Sequence, residues 1–419
     1  MAFCLAIMKS NLIRNGERAA EAAQRYLNSA NASDKIGNVR HYSENISKAA
    51  GCFEQIPDYQ SALTHYIEAA QYEYRPLYKA FNFSCAARCC VNLGEHEKAT
   101  KYYKPAAEYY LKSANAPDVI SGSGSYRERI VKAAECLEKI GAYPEAVIYY
   151  LEAARYQTNN DIKADYFSFA ARCYRNLNHP EKAAECSESS AQYRRSPQQK
   201  VIALTQAEAG YRGGGNLIAA ARCAKNAAES EALPYKKITL LTRAIGYYRS
   251  LENPIGVAEC SILMLPHLSE PQRVLRVLAD AIRNFETGGD FARAAEAYLN
   301  LAALIPDTEK KAFHMGRAGF CYLELKAWPQ AITCYEQAAA WRSNDPGEQR
   351  RKRLDLTSVG ICYALNYQDK EAKAAFDRAN EVALANAKND PDGPCTIGEI
   401  RKKYLVDIRV VSRGTPPAL

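Results

Sequence analysis

Ala49-Ala50-Gly51-Cys52-Phe53, continuing to Ile56, Tyr59, Ala62, Tyr66, Ala69, Ala70 and Tyr72, is answered 37 residues later by Ala86-Ala87-Arg88-Cys89-Cys90, then Leu93, His96, Ala99, Tyr103, Ala106, Ala107 and Tyr109. Self-similarity at such a period marks a stacked array, in which each unit hides its apolar face against its neighbours. The frame returns at Ala133, Ala170, Ala207, Ala244, Ala281, Ala318 and Val359, which makes nine units. All spacings are 37 residues except one of 47 and one of 41, and both excesses fall in loop-like sequence, Ala116 through Ser125 and Ser343 through Gly347.

Within a unit the apolar and small positions stand at offsets 0, 1, 4, 7, 13, 17, 20 and 21. Steps of three and four are the signature of one helix face, so each unit reads as two helices. Pro57, Pro144, Pro180, Pro254 and Pro329 lie at the break between them, where proline can open a second helix. Pro76, Pro197, Pro234 and Pro271, all at offset 27, read as the close of a unit. Small residues at offsets 1 and 13 are expected to let the two helices approach, and aromatics at offsets 4 and 17 to fill the gaps between units. The fold class is therefore all-α, a right-handed α-solenoid of antiparallel helix pairs. Residues 1–41 are expected to form N-terminal capping helices, 42–388 nine helix-pair repeats, 389–411 a capping helix opened by Thr396 and Glu399, and 412–419 a disordered tail.

The series Gly319-Phe320-Cys321-Tyr322 through Ala331, Tyr335 and Ala338 resembles the tetratricopeptide repeat, although the unit is 37 residues long rather than 34. Lengthened units of this kind, with phrases such as Tyr149-Tyr150-Leu151-Glu152-Ala153-Ala154 and Cys334-Tyr335-Glu336-Gln337-Ala338-Ala339, resemble the soluble NSF attachment proteins, adaptors between SNARE complexes and their ATPase. The resemblance implies a membrane-touching apolar segment, matched here by Phe3, Leu5, Ile7 and Met8, and a terminal leucine-bearing helix, matched by Leu405. The paired leucines such adaptors carry near their end are absent. Two other adaptors fit the pattern: a stabilising subunit of a large helical-repeat partner, and a microbial protein imitating host adaptors.

Composition narrows the class further. The 419 residues are 47% hydrophobic and 24% charged with a net charge of +8, the proportions of a folded chain with a mildly basic surface. No apolar run reaches the roughly 18 residues of a spanning helix, and Met1 to Met8 has no basic residue ahead of it, so neither a membrane span nor a signal peptide is expected. Of the 14 cysteines, Cys52, Cys89, Cys136, Cys173, Cys321 and Cys362 share offset 3, and Cys186, Cys223, Cys260 and Cys334 share offset 16. Cysteines recurring on packing faces act as small hydrophobes, and so many unpaired thiols suit a reducing, cytoplasmic compartment. Cys85, Cys89, Cys90 and His96 lack the paired spacing of a zinc site, and Gly213-Gly214-Gly215-Asn216 lacks the Lys-Ser or Lys-Thr of a phosphate loop and reads as a turn. No metal, cofactor or catalytic frame is expected.

The candidate binding residues are basic: Arg350-Arg351-Lys352-Arg353 after the four-residue insertion and Arg401-Lys402-Lys403 near the end, with Lys236-Lys237 and Lys310-Lys311 ahead of other helices. They point to an acidic, helical protein partner and to peripheral membrane contact. Nucleic acid is disfavoured because the aromatics sit at packing positions, and no small-molecule substrate is expected. The functional expectation is a non-enzymatic adaptor.

Overall fold

The computed structural model describes residues 21, 22, 24–31 and 39–384. Its helical pairs are α1 (Val39–Gln55) with α2 (Tyr59–Tyr72), α3 (Pro76–Asn92) with α4 (His96–Ala114), α5 (Gly124–Lys139) with α6 (Tyr143–Tyr156), α7 (Asn160–Asn176) with α8 (Pro180–Tyr193), and α9 (Pro197–Gly213) with α10 (Leu217–Ser230). They continue as α11 (Pro234–Ser250) with α12 (Pro254–Met264), α13 (Pro271–Thr287) with α14 (Phe291–Leu304), α15 (Thr308–Glu324) with α16 (Trp328–Trp341), and α17 (Pro346–Leu365) with α18 (Asp369–Leu384). The chain divides into two compact units, one ending at Ser230 and one beginning at Glu231. Inside each, every helix packs on the next in sequence, which is the nearest-neighbour arrangement of a helical-repeat solenoid.

Pro76, Pro197, Pro234 and Pro271 are the first residues of α3, α9, α11 and α13. They open units rather than close them, because proline's missing N–H costs nothing in a first turn, where the N–H has no partner. The reversal inside a unit has its own chemistry. The residue at offset 8 is left-handed in repeat after repeat: Gly94, Gly141, Gly215 and Gly289 have φ of 74 to 83°, and Asn178, Glu252, Lys326 and Tyr367 have φ of 51 to 60°. Glu95 N then donates to Cys90 O at 2.8 Å, as Asn216 N does to Tyr211 O at 2.9 Å, so the carbonyls orphaned at the end of the first helix are satisfied by a repeated cap.

Small residues at offsets 1 and 13 are buried as pairs: Ala50 with Ala62, and Gly360 with Ala372. The aromatics at offset 17 fill the gap to the next unit, as Tyr335 does against Val359 and Cys362, and also pack within their own. Tyr335 and Phe376 lie directly over Gly319 and Gly360 of their own repeats, and so lock the two helices of one unit together. The excess of four residues before Val359 also goes elsewhere, since α17 begins at Pro346 and runs for 20 residues against the usual 17. Most of the insertion is an added helical turn, and the basic run lies on a helix.

Candidate functional site

The first helices of the repeats in the unit ending at Ser230 line a groove. A cleft of about 670 Å³ is framed by Ser43, Lys48, Leu77, Phe81, Arg129 and Lys132, from α1, α3 and α5. The next cleft shares Phe81 and Lys132 with it, a third shares Lys132 and Glu135 with the second, a fourth shares Glu135 and Phe169 with the third, and the last shares Phe169 and Arg172 with the fourth. Shared walls set these clefts in a row along the first helices from α1 to α9.

Its aromatic end is at α3, where Tyr78 and Phe81 each stand 48% exposed, a large apolar surface to leave in water. The polar wall there is tightly built. Buried Glu73 accepts from Ser43 Oγ at 3.0 Å, from Arg75 N at 2.9 Å and from Arg75 Nε at 3.0 Å. Burial would push this carboxyl up, but the hydrogen bonds from Arg75 hold it below the usual range. Arg75 also reaches Glu44 at 3.0 Å and lies 4.0 Å from the centre of the Tyr78 ring, which fixes that ring at the groove's lip. Ser47 Oγ meets Asn82 Oδ1 at 2.7 Å, tying α1 to α3. Arg129 Nη1 donates to Ser113 O at 2.7 Å, and Lys132 pairs with Glu135 at 2.8 Å.

A recurrent triad joins successive first helices. Glu54, at offset 5, accepts from Tyr66 Oη at 3.2 Å and from Arg88 of the next repeat at 2.6 and 2.8 Å. Glu138 does the same with Tyr150 at 3.0 Å and with Arg172 Nη2 at 2.8 Å. In the unit beginning at Glu231, Glu286 accepts from Tyr298 at 3.1 Å and from Arg317. The hydrogen bond from Arg88 holds the Glu54 carboxyl below its ordinary range, and burial pushes the Tyr66 and Tyr150 phenols up. The two phenols therefore stay protonated near neutral pH. Each triad couples units and sets the spacing of the groove wall.

Of the residues singled out in the sequence, Arg401, Lys402, Lys403 and Leu405, and Phe3, Leu5, Ile7 and Met8, lie outside the described residues. Arg350, Arg351, Lys352 and Arg353 are consecutive on α17, so about 100° of rotation separates each from the next and they do not share one face. Arg350 is exposed; Arg351 donates to Glu348, whose other oxygen takes Arg342 Nη1 at 3.0 Å. Arg342 Nε reaches Asp355 at 3.0 Å, so Arg342, Glu348 and Asp355 form a buried ionic cluster that clamps α17 to the end of α16, with exposed Arg351 at its edge. The groove residues went unread because they lie a full repeat apart. The available signal was the aromatic and polar character of Tyr78, Phe81 and Asn82 on the face of the first helix away from Ala80 and Ala87.

The described cysteines are all free, and those at offset 3 are buried except Cys52, which is half-buried. Burial pushes Cys85 up to about 11 and Cys89 to about 12, away from nucleophilic reactivity. Among the described residues no group of three or more His, Cys, Asp and Glu side chains could hold a metal ion, and no helix is long and apolar enough to cross a membrane.

No protein-family model matches this chain, and no curated protein matches it. Solved structures of similar fold include BtubC (BKLC) from P. vanneervenii, at 18% identity over 52% of this chain and 90% of that one, with a TM-score of 0.38. The apo form of RapI is 12% identical over 70% of this chain and 98% of that one, with a TM-score of 0.32. In the structure of Naa15/Naa10 bound to HypK-THB, the matched chain is 13% identical over 97% of this chain and 67% of its own length, with a TM-score of 0.36.

Proposed function

We propose that this protein is a non-enzymatic interaction scaffold whose groove along α1, α3, α5, α7 and α9 receives an extended or helical segment of a protein partner. The observation that carries this reading is the row of adjoining clefts, with half-exposed Tyr78 and Phe81 toward one end and charged walls along their length. Rigid helices hold both features, so a ligand meets a preformed surface and little ordering cost is added on binding. Phe81→Asp and Lys132→Glu should abolish capture of partners that co-purify with the wild-type chain, while Arg283→Glu, an exposed change on α13, should not. Equal capture by all three variants would remove the groove from consideration.

The narrower reading, an adaptor of the soluble NSF attachment type, is supported by the sequence phrases in α6 and α16. In that reading Arg350 and its neighbours steer an acidic helical bundle, and Phe3, Leu5, Ile7 and Met8 touch the membrane. Binding of a purified SNARE bundle that weakens with salt and with Arg350→Glu would support it, and salt-independent binding would count against it.

A further inference from the structure

Offset 5 of the first helix is glutamate in three repeats, at Glu54, Glu138 and Glu286, and arginine in three others, at Arg175, Arg212 and Arg249. In the repeat formed by α7 and α8 that position is Arg175, and the aromatic expected at offset 17 is Ser187. The offset-5 triad is absent there, and a cleft of about 310 Å³ lies between α7 and α9. Three guanidinium groups line it: Arg172, Arg175 and Arg194.

Their charges are unequally answered. Arg172 is taken by Glu138 at 2.8 Å, and Arg194, its side chain 14% exposed, by Asp165 at 2.7 Å. Arg175 makes no ion pair with a described carboxylate. Desolvation and then the charge of Arg172 lower its proton affinity, so a carboxylate arriving beside it would relieve both. Gln199, Gln206 and Ser168 stand on the walls as further hydrogen-bonding groups, and Ile202, 56% exposed, offers an apolar floor beside them.

We propose that this cleft is the specificity site of the groove and takes an aspartate or glutamate side chain of a partner peptide, with an aliphatic neighbour of that residue resting on Ile202. Charge complementarity selects the occupant, because guanidinium groups bind carboxylates through paired, charge-assisted hydrogen bonds. The inference rests on the groove reading and adds to it the acidic character of the bound segment.

The test is selection of random twelve-residue displayed peptides on the full wild-type chain, on Arg175→Glu, on Arg175→Gln and on Phe81→Asp, with helicity checked by circular dichroism. Wild type should return peptides enriched in Asp and Glu, and replacing those residues by Asn and Gln should weaken binding about tenfold. Arg175→Gln should lose that discrimination, Arg175→Glu should reverse it, and Phe81→Asp should lose apolar anchors while keeping the acidic preference. Groove binders without acidic enrichment would overturn this inference and leave the groove reading intact. If no peptide binds the groove, both fail. Binding of phosphatidylserine vesicles through Arg175 in place of any peptide would likewise overturn the assignment to a protein partner.

Discussion

A methyl group on Gly360 would stand 2.5 Å from the ring of Phe376, whose own side chain is 5% exposed. Real carbon atoms do not approach so closely, so the backbone of α17 touches the ring face only because that residue has no side chain. Gly319 under Tyr335 repeats the relationship at 3.0 Å.

Gly360→Ala therefore sets two effects against each other. Alanine gains about 1 kcal/mol of helix propensity, and overpacking against a confined ring costs about 1–3 kcal/mol. At this separation the second should win, and urea unfolding should show net destabilisation. Gly246, on α11 with nothing within 4 Å of its would-be Cβ, is the control, and Gly246→Ala should stabilise. Trimming the ring as Phe376→Leu in the Gly360→Ala background should recover part of the loss.

The left-handed residue at offset 8 makes a second test. Lys326 holds φ of 59°, a conformation that costs a side-chain-bearing residue about 1–2 kcal/mol. Lys326→Gly relieves this at some loss of backbone entropy in the unfolded chain, for a net gain of about 0.5–1 kcal/mol. Gly141→Ala, at φ of 78°, should lose about as much. A thermal midpoint that moves the opposite way for either variant would refute the cap.

The clamp between α16 and α17 predicts a pH dependence. Burial pushes the Asp355 carboxyl up to about 6 from an ordinary 3.8, against the pull of Arg342. Because the folded chain holds this proton more tightly than the unfolded one, the contribution of Asp355 to stability is full below its unfolded value and is lost as pH rises through about 6. The unfolding free energy of wild type relative to Asp355→Asn should therefore increase between pH 7.5 and pH 5, whatever the absolute effect of the substitution. A difference flat over that interval would mean that Asp355 is not buried as described.

Thiol labelling of the native chain should separate the described cysteines by burial. Cys52 should react first, and Cys89, Cys136, Cys173, Cys321 and Cys362 only after denaturant is added. Prompt reaction of Cys173 would contradict its place against α8.

The period of 37 residues, the helix pairs and the buried alanines were all legible in the chain itself, because a helix face and a stacking repeat are local patterns that recur at fixed offsets. Partner choice was the part the sequence left open. The frame shows that offset 17 is buried but not that its ring meets both the same unit and the next, because that depends on how the backbones cross. The charge run on α17 illustrates the same limit: four adjacent basic residues look like a patch in one dimension, whereas helical rotation separates them and Arg351 turns to Glu348, which also holds buried Arg342. The groove was decided by tertiary structure alone. Phe81, Lys132 and Phe169 are separated by dozens of residues and come to one wall only when the first helices stack side by side, so no local window of sequence contains the surface they make.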